Sequence, residues 1–198
     1  MDPLNLITKK WKEISIVAVL FYLDIVVSFI AYSGSPIAEV ILRTEMEYNP
    51  IIRLVNMLMY RKYYHMAIQL VFLANLIIVI FIYLSILGFI PGLNLVILLF
   101  QAHSLGVYLA GMKLLKDLTT SFRVLLTVAL ESVSYILVTA AALDVGICLI
   151  KPSIIFGKDI NRREALLATL SDLGNMYLIA IIFLYLAAVL EILLIMYT

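Results

Sequence analysis

The chain has 198 residues, of which 65% are apolar or aromatic and 14% charged, with a formal net charge of +1. Soluble domains carry roughly 45–50% apolar and about 25% charged residues, so a water-soluble globule and a disordered chain are both excluded. The near-zero charge leaves no electrostatic footprint for nucleic acid, and the single cysteine, Cys148, excludes an internal disulfide framework and any Cys-pair metal site. What remains is one integral, multi-pass membrane domain over residues 1–198, in a cell membrane, with the lipid bilayer as its first partner.

A helix needs about 20 apolar residues to cross about 30 Å of hydrocarbon. Five runs meet that length: residues 14–32, 66–87, 93–114, 124–150 and 176–196. The first follows Lys9, Lys10 and Lys12 and is longer than the apolar core of a secretory signal, so it reads as a membrane span. Period-2 alternation is absent, which argues against a barrel. The predicted fold is therefore an all-α polytopic bundle of about five transmembrane helices.

The connections differ. Gly88, Pro91 and Gly92 form a tight break, which makes the second and third runs an antiparallel hairpin. Residues 113–123 form a short charged turn, and residues 151–161 a polar loop. Residues 36–64 alternate Ile37, Val40, Ile41, Ile51, Leu54 and Leu58 with Glu39, Arg43, Glu45, Glu47, Arg53, Arg61 and Lys62. That connector is too charged to span and reads as interfacial amphipathic helices broken near Asn49-Pro50. Residues 162–173 have the same character. Lysine and arginine divide evenly between the two sides, so the positive-inside rule sets no orientation, although five spans put the termini on opposite faces.

Polar residues inside apolar runs are costly and are paired or functional. Asp24 lies in the first run, Asn75 in the second, and Gln101, His103 and Ser104 in the third. Glu131 and Asp144 lie in the fourth, and Asp172, Asn175 and Glu191 in or before the fifth. No lysine or arginine sits mid-run. Asn75, Gln101, His103, Glu131 and Glu191 are expected to form a buried polar cluster, either a satisfied structural latch or part of a cation or proton path. His103 reads as a satisfied buried histidine, with no ligand set for a metal.

Small residues recur at helical spacing: Ala102, Gly106 and Ala110 in the third run, Ala142 and Gly146 in the fourth. Such ladders let backbones approach closely, against another helix of the chain or another subunit. Motifs for zinc hydrolysis, serine hydrolysis and nucleotide binding are absent, so no enzyme and no cofactor are expected. Adjacent Ser104 and His103 point to different faces of a helix.

Three local patterns, in this order, resemble the stage II sporulation protein M family. Phe72-Leu73-Ala74-Asn75-Leu76 is similar to the asparagine motif of its second span. The Gly88–Gly92 break and Gln101-Ala102-His103-Ser104-Leu105-Gly106 follow at the family's spacing. Ala129-Leu130-Glu131 with Ala140-Ala141-Ala142 resembles its glutamate span, and Ala187-Ala188-Val189-Leu190-Glu191 its terminal signature. Thr127-Val128 stands where the family has His-Gly, and its third-span Asn-Gly is replaced by larger polar residues, which implies a distant member. The family's sporulation member is a noncatalytic membrane component that helps anchor peptidoglycan-degrading partners, and relatives also occur in archaea. The resemblance implies the fold and the noncatalytic character. Abundant Ile, Leu and Val with almost no Gln or Cys lean toward a thermophile. The expected function is a membrane scaffold or assembly subunit, working through a homo-oligomer or other membrane proteins. The alternative is a cation or proton channel or transporter subunit using the intramembrane carboxylates.

Overall fold

A computed structural model describes residues 3–112, 118–157 and 160–196. Their order is α1 (Pro3–Lys9), α2 (Trp11–Tyr32), α3 (Pro36–Tyr48), α4 (Pro50–Tyr60), α5 (Tyr64–Ala74), α6 (Leu93–Gly111), α7 (Leu118–Ile150), α8 (Ser153–Phe156) and α9 (Arg162–Met196), with no strand among the described residues. Asn75–Ile86 continues α5 as a π-helix, and Leu87–Phe89 closes it with a 3-10 turn. Five helices are long and apolar enough to cross a membrane: Trp11–Tyr32, Tyr64–Phe89, Leu93–Gly111, Ser121–Ile150 and Arg162–Met196. Each overlaps one of the five apolar runs, and the last begins well before its run at residue 176. The amphipathic stretch 162–173 is the first third of α9 rather than a helix of its own. Lys113 and Lys116 of the charged turn, and Lys158 of the polar loop, lie outside the described residues.

Local chemistry sets the breaks. The Ser35 hydroxyl accepts from the Ile37 amide at 3.2 Å, and Pro36 opens α3. The Asn49 side-chain Oδ1 accepts from the Ile51 amide at 2.9 Å, and Pro50 opens α4. Each is a polar cap followed by a proline whose missing N–H costs nothing at that position. Gly92 holds φ at +83° and turns the chain into α6, a conformation that a side chain would strain.

The centre is α7. Of its apolar stretch 67% is buried, against 22–39% in the other four long helices. It packs most broadly on α9, while α2 packs most broadly on α6. Lipid tails are as apolar as leucine, so close approach rather than water exclusion holds such helices together. At Gly106 an added Cβ would lie 2.6 Å from the Ile25 carbonyl oxygen and 2.6 Å from the Ser28 Cβ. At Gly146 it would lie 2.5 Å from the Gly88 carbonyl oxygen. Ala102 and Ala142 are fully buried, and Ala110 packs with Ala38 and Val107. The α6 ladder is thus filled by α2 and α3, and the α7 ladder by the Gly88–Pro91 break of the same chain.

The connector doubles back along the bundle. α3 sits on α6, with the Ala38 carbonyl 2.7 Å from where a Gly111 Cβ would stand. α4 lies on α5 and α9 through Val55, Ala67, Val71, Ala188 and Ile192. Near the α5–α6 turn, the Asn94 amide donates to the Thr139 carbonyl at 3.0 Å. The Thr139 hydroxyl is buried without a partner among the described residues.

Candidate functional site

Asn75 stands where α5 passes into the π-helix, and its amide Nδ2 donates to Glu131 Oε1 at 3.0 Å. Glu191, on α9, is close enough for the two carboxyl groups to feel each other's charge. Of the five residues expected to cluster, Asn75 and Glu131 therefore meet directly, with Glu191 within electrostatic range of Glu131. His103 and Gln101 do not join them, because this part of α6 is packed on α2. There the His103 Nδ1 lies 2.7 Å from the Ser28 hydroxyl, and its ring meets Tyr32 edge-on at 5.7 Å. Gln101 is half-buried on α6 and makes no hydrogen bond to the cluster.

Sequence reasoning missed Lys10. It is 7% exposed in the turn between α1 and α2 and ion-pairs with the Asp144 carboxylate, with Asp172 Oδ2 at 3.7 Å. The intramembrane acids are thus not all without a base. Lys10 belongs to a charged run that reads as a flank of the first span. The usable signal was the apolar set before it, since Leu6 of α1 is fully buried and pins the segment to the bundle.

Other buried polar groups pair off across helices. The Ser85 hydroxyl and Tyr177 hydroxyl are 2.6 Å apart, and Ser85 also donates to the Ile80 carbonyl at 2.9 Å. The Ser134 hydroxyl donates to the Ala180 carbonyl at 2.9 Å. Asp24 differs. It is half-buried midway along α2, beside exposed Leu23, Val26 and Val27, and has no hydrogen bond or ion pair among the described residues.

A cavity of about 230 Å³ lies between the end of α2, α3 and α6. Tyr32, Glu45, Phe100, His103, Ser104 and Tyr108 stand on its walls among aliphatic side chains, and no lysine or arginine lines it among the described residues. The Glu45 carboxylate has no ion pair among the described residues.

These arrangements contain little chemistry. The Ser104 hydroxyl donates to the Phe100 carbonyl at 3.0 Å rather than to His103. Ser28 does meet His103, but it is 1% exposed beneath Gly106, so no substrate carbonyl can reach its oxygen. No group of three or more His, Cys, Asp or Glu side chains converges among the described residues. No family model, curated protein or solved structure matches the chain.

Proposed function

We propose that the chain is a noncatalytic, multi-pass protein of the cell membrane, a scaffold or assembly subunit that acts through other membrane proteins or copies of itself. The observation that carries this reading is Asp24. A carboxyl group at the middle of an apolar helix is expensive in hydrocarbon, and this one has no partner in its own chain among the described residues. A polar group on a facing helix would satisfy it. The resemblance to the stage II sporulation protein M family points the same way.

Cysteine cross-linking in native membranes tests it, with thiols placed at Leu23 and Val27 and with native mass spectrometry of the extracted protein. Adducts are expected at both positions. Asp24→Leu should lower their yield at least tenfold, while Asp24→Asn, which still hydrogen-bonds, should retain them. A monomer without adducts at either position overturns the reading.

One observation favours a second reading, that of a cation or proton carrier. Glu131 and Glu191 are neighbouring acids whose only polar side-chain donor among the described residues is Asn75. Glu131 and Asp144 are about 20 Å apart along α7 at 1.5 Å per residue, and Tyr135–Ala142 between them are tightly buried. A carrier would have to move that packed stretch. Cation and proton flux into proteoliposomes, with wild type against Glu131→Gln with Glu191→Gln, decides it. Flux lost in the double variant supports transport, and no flux above empty liposomes leaves the carboxyls structural.

A further inference from the structure

We infer that the cavity between α2, α3 and α6 binds an organic ammonium group. Three aromatic rings from Tyr32, Phe100 and Tyr108, together with the His103 imidazole, stand around it. The negative faces of aromatic rings attract cations, and rings combined with a carboxylate make the cage that recognises quaternary ammonium. Glu45 supplies that carboxylate, and no ion pair occupies it among the described residues. The hydroxyls of Tyr32 and Tyr108 are likewise uncommitted among the described residues.

Other ligand classes fit less well. An anion finds no lysine or arginine on the walls among the described residues and meets the Glu45 charge. A metal ion finds too few ligands, since among the described residues the His103 imidazole, with Nδ1 on Ser28, and the Glu45 carboxylate are the only strong ligands on the walls. A bare acyl chain would strip water from Glu45 without compensation. The volume suits a small cation: at about 30 Å³ per water the cavity holds roughly seven or eight, the scale of choline with its seven non-hydrogen atoms. Ile41, Leu42 and Val107 give its methyl groups an apolar floor. The ammonium group could arrive on a free amine or on a lipid headgroup, and the chemistry of the site is the same for both.

The inference goes beyond the scaffold reading and is independent of Asp24. Full-length protein in detergent is titrated with choline and with its neutral isostere, 3,3-dimethylbutanol, by calorimetry. Choline should bind at least tenfold more tightly than the isostere. Glu45→Gln should weaken choline at least tenfold and leave the melting temperature unchanged, because Glu45 is exposed. Tyr108→Leu should weaken it similarly, and Tyr108→Phe, which keeps the ring, should not. Nanodiscs of phosphatidylcholine or phosphatidylglycerol then separate the sources. Competition by the first alone identifies a lipid headgroup, and choline binding equal in both identifies a free ammonium. No choline binding, equal affinity for the isostere, or indifference to Glu45→Gln overturns the inference. Choline binding that persists while Asp24→Leu abolishes cross-linking separates this site from the scaffold function.

Discussion

Glu131 has exchanged water for one amide donor, the Asn75 Nδ2 at 3.0 Å. That bond forms with a protonated or an ionised carboxyl, so Glu131→Gln, which keeps the acceptor oxygen, should leave the melting temperature nearly unchanged. Glu131→Leu strips Asn75 of its partner. Interhelical hydrogen bonds between membrane helices are worth about 0.6–1.7 kcal/mol, so thermal unfolding should register a loss of that order. An unchanged melting temperature in Glu131→Leu would show that the pair is no latch. Asn75 and Glu131 stood out in the sequence as polar residues in apolar runs. Their pairing was not legible, because an apolar run reports that a residue is inside, not which helix faces it. His103, read from the sequence as a buried histidine, is half-buried on the cavity wall, and its partner Ser28 was not legible, since a serine in an apolar helix carries no mark of what it binds.

Helices in this chain meet through glycine. The 2.6 Å separation between a Gly106 Cβ and the Ile25 carbonyl oxygen leaves no room for a side chain. Gly106→Val should push α2 from α6 and cost about 1–3 kcal/mol, the usual cost of overpacking. Gly174, in α9, has nothing within 4 Å of its would-be Cβ. Gly174→Ala should therefore be neutral or gain up to about 1 kcal/mol from helix propensity. Thermal melts of the two variants in one detergent make the comparison. Equal melting temperatures would mean that the α2–α6 crossing is loose. At this scale the sequence was most informative. Run length set the five long helices, Asn49-Pro50 the break in the connector, and Gly88 to Gly92 the hairpin. The π-helix of Asn75–Ile86 left no trace, because an apolar run looks alike at 3.6 residues per turn and at a wider winding.

Across the whole molecule, the Lys10 ammonium with Asp144 and Asp172 ties the N-terminal segment to the two helices that form the core. Removing the cation strands two carboxylates. Lys10→Met should destabilise by about 3–5 kcal/mol, the cost of breaking a buried pair from one side, and adding Asp144→Asn should recover part of it. Proteolysis near α1 should accelerate in the single variant. Unaltered protease resistance would show that α1 is held by Leu6 and its apolar contacts alone. The partners Lys10 and Asp144 are 134 residues apart. A ribosome adds about 5–20 residues per second, so Lys10 waits roughly 7–27 s for its counter-charge to be synthesised. During that interval the first helix is inserted but unfastened, and the chain's earliest segment is among the last to be locked.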